Sequence, residues 1–402
     1  MSRFSAWVNK RLPVDETIRE HMTEYFAPRK FNILYYAGSL LLLMIVLQLI
    51  SGFFLMAHYV PTSQDAFASV QGIMYDTKWG WLIRYMHVDG VSLIFILLYT
   101  HMFRGLLYGS HRAPRELVWV IGYVIYLLMM AEAFVGYVLP FGNLSYWAGE
   151  VITSIMHALP VVGPSLTTLT RGGPGIGSAT LQRFLALHVV LFFLIILAAI
   201  ALHIVALHRV GSNNPDGIDI KKHKGPDGKP LDGVPFHPYY TVKDLFGVGV
   251  WLTIFVSVIF YAPTMHGVFM ERTTFLAANP MVSLPDVTPP WYLSPYYAML
   301  RAVPNKYYGI AIMITSVLLP LLLPWLDRNP VRSSRYRPVY RIMLIVAGIS
   351  FIILAWIGQE PPLPKYFLIE RVATALYLGF YLLLPFVSMI EPTRPVPERV
   401  TG

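Results

Sequence analysis

Long apolar runs separated by polar segments dominate the chain. Eight of these runs are long enough to cross a bilayer, since about 20 apolar residues in a helix span its hydrocarbon core of about 30 Å. They lie at 36–59, 81–109, 117–139, 183–209, 245–263, 308–326, 340–358 and 367–389. The pattern predicts an all-α polytopic membrane protein with eight transmembrane helices.

The segments between the predicted spans fall into two groups by their content of Lys and Arg. The basic group comprises residues 1–35, 110–116, 210–244, 327–341 and those after 389. The group poor in basic residues comprises 60–80, 140–182, 264–307 and 359–366. Because basic segments stay in the cytoplasm, both termini are expected there. The same topology explains the formal net charge of +9, which therefore does not indicate binding to nucleic acid.

The composition agrees with a membrane location and removes several kinds of chemistry. The chain is 55% hydrophobic and only 13% charged, whereas soluble domains are about 25% charged. It has no cysteine, which excludes disulfides, zinc–thiolate sites, iron–sulfur ligation and covalent attachment of haem through a C-x-x-C-H motif. Any haem in this chain is therefore held without a thioether link.

Four histidines inside the apolar runs form two pairs along single predicted helices. His87 and His101 are 14 residues apart, and His188 and His203 are 15 apart. The members of a pair lie roughly 21 to 23 Å apart along the helix axis and face a similar direction. With the topology above, His87 lies level with His188 on the outer side, and His101 lies level with His203 on the cytoplasmic side. We refer to these as the outer pair and the inner pair.

Each level presents two imidazoles, which is a common way of holding a haem iron. The alternatives are four buried hydrogen-bonding histidines, or a chain of proton relays in a transporter. A transporter of that kind is expected to have broken helices and inverted repeats, and the sequence has no such symmetry. The matched spacing favours a four-helix bundle, formed by the first four spans, that holds two haems.

Glycines on the neighbouring spans repeat at the same interval. Gly38 and Gly52 on the first span are 14 residues apart, as are Gly122 and Gly136 on the third. Glycine at two levels leaves room for two flat macrocycles. Close helix packing through small residues is the competing explanation, but the shared interval favours haem.

Two arginines lie on the same predicted helix as the first histidine pair, one close to each histidine. Arg84 and Arg104 are placed to neutralise haem propionates, although an arginine can also extend to the membrane surface without a ligand. Gln48, on the first span, is a further candidate for cofactor binding.

The spacing of 15 in the fourth span carries a structural prediction. One extra residue rotates the second ligand by about 100° relative to a spacing of 14. To keep both histidines on one face, the helix needs a local π-bulge or a shift.

Six stretches in this order resemble cytochrome b, the core subunit of cytochrome bc complexes. They are GWLIRYMH (80–87), YTHMFRGLLYGS (99–110), FVGYVLPFGNLSYW (134–147), LHRVGSNNPDG (207–217), PFHPYYTVKD (235–244) and PPWY (289–292). The resemblance covers essentially the whole chain and all eight spans. It implies a cytoplasmic segment 1–35, a haem-binding bundle 36–210 with outer-pocket helices at 140–182, a cytoplasmic loop 211–244 and a C-terminal region 245–402.

The resemblance also implies the activity of a quinol:cytochrome c oxidoreductase, with this chain as the catalytic subunit of a larger complex. Quinol is oxidised in an outer pocket, and one electron passes to a Rieske iron–sulfur subunit and a membrane-anchored c-type cytochrome. The other passes from an outer, low-potential b haem (His87 and His188) to an inner, high-potential one (His101 and His203), and reduces quinone. The implied setting is the lipid of a bacterial inner membrane, with the complex as a homodimer.

Family roles carry over onto matching residues. His208, Lys243 and Asp244 fall where the family binds quinone on the cytoplasmic side, and a histidine and a carboxylate there can relay protons. Ser212 and Asn213 are weaker candidates for the same pocket. The residues that match the outer, quinol-oxidising pocket are Tyr137, the segment 145–153, Pro290 and Tyr292.

One departure from the family pattern affects this chemistry. The usual motif Pro-Glu-Trp-Tyr reads PPWY here, so the glutamate that accepts a proton from quinol is absent. Glu150, on a short helix predicted after the third span, is the candidate replacement. The alternatives are that Glu150 is a solvated surface charge, or that the proton leaves through water and Tyr137. Glu271 and Asp286 are ranked below Glu150, because their loop is expected to face solvent or partners.

A second class of function is a haem-binding anchor of a membrane dehydrogenase. Such anchors usually have four or five spans and lack both the PPWY segment and a long 140–182 segment. The eight predicted spans therefore favour the bc-type core.

Overall fold

The computed structural model describes residues 3–401; residues 1, 2 and 402, which belong to the predicted terminal segments, lie outside the described residues. The described chain is mostly helical and contains very little β-structure. Its α-helices are α1 Arg3–Asn9, α2 Val14–Ile18, α3 Ala37–Met56, α4 Ala66–Tyr75, α5 Gly80–Tyr108, α6 Glu116–Val138, α7 Asn143–His157, α8 Gly163–Arg171, α9 Ser178–Ala186, α10 Phe193–Val210, α11 Thr241–Tyr261, α12 Ser294–Arg301, α13 Lys306–Leu318, α14 Leu323–Leu326, α15 Pro338–Ile357 and α16 Pro364–Ile390.

Shorter elements join these helices. The π-helical turns are Arg19–Thr23, Leu187–Phe192 and Phe236–Tyr240. The 3₁₀ turns are Ile33–Tyr36, Ile220–Lys222, Met265–Gly267, Arg272–Phe275, Leu319–Leu322 and Ser334–Tyr336. Two short strands, β1 Phe26–Pro28 and β2 Gly233–Pro235, pair antiparallel.

Eight helical segments among residues 3–401 are long and apolar enough to cross a membrane, which confirms the predicted number. They are Ile33–Met56, Gly80–Tyr108, Glu116–Val138, Ser178–Val210, Phe236–Tyr261, Lys306–Leu326, Pro338–Ile357 and Pro364–Ile390. The fourth and fifth begin earlier than predicted, because polar helical turns precede their apolar parts. Since eight crossings return the chain to its starting side, both ends share one face. We call it the terminal face and the other the opposite face.

The first four spans form two helical hairpins. Helix α3 packs against α5, and α6 packs against α10. The last spans pack as α15 against α16, and α12 lies against both α13 and α15. Buried aromatic side chains join these two halves of the molecule; the Tyr126 hydroxyl, for example, hydrogen-bonds the Tyr296 hydroxyl.

The fourth span contains the irregularity that the histidine spacing predicts. Helix α9 ends at Ala186, the π-helical turn Leu187–Phe192 follows, and α10 begins at Phe193. The turn includes His188 and precedes His203. A π-helical turn holds one more residue than an α-helical turn, so it absorbs the extra residue and keeps both histidines on one face.

The segment 140–182 on the opposite face is folded and contains α7, α8 and the start of α9. Its start is bonded to the segment before α12. The backbone amide of Asn143 donates to the Leu276 carbonyl (2.7 Å), and the side-chain oxygen of Asn143 accepts from the backbone amide of Asn279 (3.1 Å). The two long segments of the opposite face are therefore one packed unit.

Hydrogen bonds gather distant parts of the chain on the terminal face. Strand β1 pairs with β2, which attaches the N-terminal segment to the loop after α10. The Arg399 guanidinium binds the Asp232 carboxylate (2.7 Å), and the Thr401 amide donates to Asp216 (2.9 Å). The N-terminal segment, this loop and the C-terminal residues thus support one another.

A buried ion cluster lies beneath this face. Arg337 donates two hydrogen bonds to Asp327 (2.7 and 2.9 Å) and one to Glu391 (2.6 Å), and His111 lies 2.9 Å from Asp327. Burial alone raises the pKa of Asp327, but hydrogen bonds from His111 and Arg337 outweigh it and hold the pKa below its ordinary value. The cluster fixes the loop before α15 against the end of α16.

Asp327→Asn is expected to destabilise the protein by about 3–5 kcal/mol, because it leaves a buried guanidinium short of one charge partner. The measurement is the midpoint of thermal unfolding in detergent. Since the pKa of Asp327 is depressed, its contribution is complete above the ordinary value near pH 4 and is lost as the pH falls below it. Asp227→Asn is the control, since Asp227 pairs with Lys229 at the surface and is expected to change little. Equal midpoints for the two variants would contradict the prediction.

Candidate functional site

The structure brings the four histidines together in the predicted pairs. The ring centroids of His87 and His188 lie 6.1 Å apart, and those of His101 and His203 lie 6.4 Å apart. The outer pair is nearer the opposite face and the inner pair is nearer the terminal face. In each pair, one ring comes from the α3–α5 hairpin and the other from the hairpin of α6 with the fourth span.

These separations suit a metal between the rings. A metal–imidazole bond is about 2.0–2.1 Å long, so two imidazoles on opposite sides of one iron have centroids roughly 6 to 6.5 Å apart. Both observed separations fall in this interval. Direct hydrogen bonding between the two rings of a pair would need a closer approach of their nitrogens.

Each predicted glycine lies against one histidine ring. A Cβ atom built on Gly52 would lie 3.1 Å from Cε1 of His87, and one on Gly136 would lie 2.5 Å from Cε1 of His188. At the inner level, the corresponding distances are 3.1 Å from Gly38 to His101 and 2.9 Å from Gly122 to His203. A side chain at Gly122 or Gly136 would force the facing ring to shift, and one at Gly38 or Gly52 would need the facing ring to give by a few tenths of an ångström.

The outer pair opens onto a cavity whose empty space, including the part open to solvent, is about 1250 Å³. Its lining is mainly apolar, and its polar members include Gln48, Arg84 and Glu132 together with both histidines. Arg84 is buried, with 9% of its surface exposed, and a buried cation at the edge of an apolar cavity suits an anionic group on a ligand. Shape, ligand atoms and charge therefore fit a haem with propionates. The Gln48 amide lies against the helix carrying His87, 3.4 Å from the Met86 carbonyl.

The Nδ1 atoms of the histidines have different partners. His87 Nδ1 lies 3.0 Å from the Ser51 hydroxyl, and His188 Nδ1 lies 3.0 Å from a carboxylate oxygen of Glu132. At the inner level, Arg104 lies 3.2 Å from His101 Nδ1. The sequence analysis missed Ser51 and Glu132. An acidic residue inside an apolar span, four residues before Gly136, is a signal that could have identified Glu132.

A second cavity, with about 810 Å³ of empty space including the part open to solvent, adjoins the first on the opposite face. Tyr137, Pro290 and Tyr292 line it, as the resemblance implies. The two cavities share several lining residues, including His87 and His188. A molecule bound in the second cavity would therefore be next to the outer pair.

The PPWY segment is held rigidly against α5. The Tyr292 ring stacks on Phe95, with centroids 4.2 Å apart and planes at 3°. The indole of Trp291 donates to the Ser92 hydroxyl (3.1 Å), and the Tyr99 hydroxyl donates to the Tyr292 carbonyl. These contacts with the second span therefore hold this wall of the cavity in place.

Glu150 lies outside this cavity, contrary to the prediction that its segment brings it to the outer pocket. One carboxylate oxygen is 2.8 Å from the Arg171 guanidinium, and the other accepts from the Ile176 amide (2.8 Å). The carboxylate thus ties α7 to α8 and to the loop after α8. Both carboxylate oxygens of Glu150 are therefore bonded to partners outside the cavity.

The carboxylate that does line the cavity belongs to Glu271, which was ranked below Glu150. Residue 271 lies at the mouth, partly exposed to solvent, and shares the lining with Tyr137 and Thr288. Partial burial raises the pKa of Glu271, and the nearby Asp286 adds to the shift, while a hydrogen bond from Thr273 opposes it. A carboxylate with a raised pKa between a cavity and water can accept a proton and release it.

On the terminal face, the structure adds Tyr25 to the predicted residues. The Tyr25 ring stacks on His208 (centroids 4.6 Å apart), and its hydroxyl lies 2.9 Å from the Ser212 hydroxyl. Burial raises the pKa of Tyr25, so the phenol stays protonated. Sequence analysis missed Tyr25 because it belongs to the N-terminal segment, which only the β1–β2 pairing brings here.

The other predicted residues of this face differ in their surroundings. Asp244 accepts hydrogen bonds from the Tyr35 hydroxyl (3.4 Å) and the Ser39 hydroxyl (3.3 Å). The Lys243 ammonium lies over the Tyr239 ring, 4.5 Å from its centroid. Asn213 is instead buried, and its amide donates to the Tyr108 carbonyl (3.0 Å), which indicates a role in supporting the end of α5.

A series of neighbouring aromatic rings connects these two groups. The rings that join His208 to the residues beside Asp244 are those of Tyr25, Phe236, Tyr240 and Tyr35. The predicted residues, Asn213 apart, therefore border one aromatic region rather than separate surfaces.

Comparisons with known proteins agree on one family. Residues 22–211 match the family described as Cytochrome b/b6/petB, and residues 277–378 match Cytochrome b(C-terminal)/b6/petD. Cytochrome b of Allochromatium vinosum is 50% identical, over 99% of this chain and 98% of that protein. Cytochrome b of Rhodospirillum rubrum is 43% identical, over 98% and 95%.

The fold gives the same result. A solved structure described as a hyperthermophilic respiratory Complex III superimposes with a TM-score of 0.89 at 35% identity, covering 96% of this chain and 99% of that one. The chain therefore belongs to the cytochrome b family, membrane proteins that transfer electrons from quinol in respiratory bc complexes.

Proposed function

We propose that this chain is the di-haem core of a quinol:cytochrome c oxidoreductase. The observation that carries the proposal is the arrangement of the four histidines: two facing pairs, each at the separation that one iron requires. A glycine lies against every one of the four rings, which leaves the space between them to a flat ligand.

The residues that would hold the haems divide by level. His87 and His188 would bind the outer haem, with Arg84 at a propionate and Gly52 and Gly136 leaving room for the ring. His101 and His203 would bind the inner haem, with Arg104, Gly38 and Gly122 in the same roles. Bound there, the two b haems supply one-electron transfer across the membrane. The Ser51 hydroxyl at His87 Nδ1 leaves Nε2 of that ring for iron.

Quinol oxidation is assigned to the second cavity. Tyr137, Pro290 and Tyr292 form its walls. The haem that the neighbouring outer pair would hold is the acceptor for one of the two electrons. Oxidation of quinol also releases two protons. Glu271 replaces the glutamate missing from the PPWY motif, since it alone among the candidate carboxylates lines this cavity. Its place at the mouth gives the accepted proton a route to water.

Quinone reduction is assigned to the aromatic region on the terminal face. Tyr25 and Ser212 hold a hydroxyl pair beside His208, and Asp244 faces the same region from the start of α11. A reduced quinone needs two protons, and a histidine and a carboxylate are suitable donors. Lys243 supplies positive charge nearby, which favours a quinone that has gained an electron.

The remaining elements of the proposal concern setting and partners. The basic segments of the terminal face support a cytoplasmic side for this face, and the proposed setting of the chain is the lipid of a bacterial inner membrane. Residues 3–401 provide no site for an iron–sulfur cluster, so a Rieske subunit and a membrane-anchored c-type cytochrome supply the onward path. A protein of Bradyrhizobium diazoefficiens named Cytochrome b/c1 supports that association; it is 41% identical over 98% of this chain and 56% of that protein. The complex is proposed to be a homodimer.

The complex purified with this chain is expected to contain two b haems per copy and to reduce cytochrome c with quinol. The measurements are haem content by pyridine haemochrome, a redox titration with two b-type steps, and inhibitor-sensitive turnover. His203→Leu should remove only the inner step. A complex without b-type absorbance, or with one step in the unmodified chain, would refute the di-haem assignment.

A further inference from the structure

The outer pair is asymmetric, and the asymmetry comes from one charged residue. Glu132 lies on α6 one helical turn before Gly136, and its Oε1 is 3.0 Å from His188 Nδ1. The Glu132 backbone carbonyl is 3.2 Å from the same nitrogen. Both side chains are largely enclosed, with 13% of Glu132 and 18% of His188 exposed. On the other side, His87 Nδ1 lies beside the neutral Ser51 hydroxyl, with no carboxylate in an ion pair with this ring among the described residues.

The Glu132 carboxylate lies within a membrane-spanning helix, which is an unusual position for an acidic side chain. An acidic side chain inside a membrane span is costly and is retained mainly where it has a function. Helix α6 is otherwise apolar from its second turn to its end. The carboxylate is turned toward the histidine rather than toward the membrane surface, and its Oε2 is buried without a hydrogen bond.

The contact has a direct effect on the histidine. A carboxylate that accepts the Nδ1 hydrogen fixes the tautomer and orients the ring, so that Nε2 faces its partner ring. It also draws the imidazole toward an anionic character, which makes Nε2 a stronger electron donor. A metal with a stronger donor and a nearby negative charge is more stable in its higher oxidation state.

The inner pair has the opposite environment. Within the described chain, no Asp or Glu forms an ion pair with His101 or His203, whereas Arg104 lies 3.2 Å from His101 Nδ1. A cation beside a ligand favours the reduced state of the metal. At the Nδ1 atoms, Arg104 lies beside the inner pair and Glu132 lies beside the outer pair, and both contacts separate the two sites in the same direction.

We infer that Glu132 is a positioning residue that lowers the reduction potential of the outer haem by polarising His188. This inference rests on the proposed di-haem function. The couple concerned is a one-electron change between ferric and ferrous iron, with no bond made or broken. A lower potential at the outer level would favour transfer of an electron from the outer haem to the inner haem.

The test is a potentiometric titration of the complete complex carrying Glu132→Gln, followed in the b-haem absorption band. Glutamine keeps the volume and an oxygen acceptor but removes the charge. The equilibrium of the outer haem is expected to shift at least tenfold toward the reduced form, which is 59 mV for a one-electron couple. The inner haem in the same sample is the reference and should not move.

Two further variants make the result specific. Ser51→Ala removes the neutral partner of the opposite ligand, and a smaller shift is expected because no charge is lost. If Glu132→Gln assembles poorly, Glu132→Thr provides a smaller neutral side chain, and the same upward shift is expected. Low-temperature electron paramagnetic resonance of the oxidised complex should show a changed signal for the outer haem alone.

The outcomes separate this inference from the proposed function. An unmodified complex without two b haems would contradict the proposed function itself. Two haems whose potentials are unchanged in both Glu132 variants, or shift equally at both levels, would overturn the inference and leave the di-haem function standing.

Discussion

Replacing Glu271 by glutamine is expected to slow quinol oxidation by about 100-fold, within the range that a positioned proton acceptor contributes. Glu271 is the carboxylate that lines the cavity shared with Tyr137, Pro290 and Tyr292. Glutamine has the same shape but cannot take a proton, so quinol should still bind. The measurement is steady-state turnover with cytochrome c, together with the rate at which quinol reduces the b haems.

The comparison is with Glu150→Gln. Glu150 is bonded to Arg171 and to the Ile176 amide, so its loss should affect stability more than turnover. Haem spectra and reduction of the inner haem through the terminal-face site are controls for folding in both variants. A large loss of turnover in Glu150→Gln, with nearly normal turnover in Glu271→Gln, would contradict the prediction and assign the role of proton acceptor to Glu150.

The pH dependence provides a second readout of the same prediction. A proton acceptor works in its deprotonated form, and partial burial raises the pKa of Glu271 above its ordinary value. Quinol oxidation should therefore decline as the pH falls through that raised pKa, which lies above the usual range near 4. The Glu271→Gln variant should lack this acid limb.

Gly136→Ala is expected to abolish binding of the outer haem and to leave the inner haem in place. The new methyl carbon would lie 2.5 Å from Cε1 of His188, closer than carbon atoms can approach, so the ring must leave its position. Gly122→Ala, whose methyl would lie 2.9 Å from His203, should have the converse effect on the inner haem. Quantitative haem analysis and redox titration of each purified complex measure both results.

Controls for this prediction are available within the membrane helices. Gly249 and Gly379 have no atom within 4 Å of a built Cβ, so alanine there should retain both haems. Alanine is also intrinsically more favourable than glycine within a helix, by roughly 0.5–1 kcal/mol. A loss confined to one haem cannot then be ascribed to helix destabilisation. Full occupancy of the outer level in Gly136→Ala would contradict the assigned geometry.

The sequence predicts those parts of the molecule that depend on positions along single helices. The histidines at 87, 101, 188 and 203 and the glycines opposite them follow from helical periodicity and topology, and the spacing of 15 correctly predicts the π-helical turn Leu187–Phe192. Apolar length gives the number of spans. It does not give the starts at Ser178 and Phe236, where polar helical turns precede the apolar part.

Residues placed by tertiary contacts could not be predicted in this way. Glu271 reaches the cavity because its segment is bonded to α7 through Asn143 and Leu276, and no local pattern encodes that pairing. The direction of Glu150 is decided by Arg171, which is 21 positions away. Tyr25 comes to the terminal-face site only through the strand pairing at Phe26–Pro28.

The hairpin arrangement of the first four spans has a consequence for biogenesis. The α3–α5 hairpin carries one histidine and one facing glycine for each level, and the hairpin of α6 with the fourth span carries the complementary half. Neither hairpin offers two imidazoles to one iron. Two-ligand sites come into existence only after the ribosome has completed the fourth span and the translocon has released it. Under the proposed di-haem function, haem insertion would therefore come late in synthesis, and the cofactors would join two halves that enter the membrane one after the other.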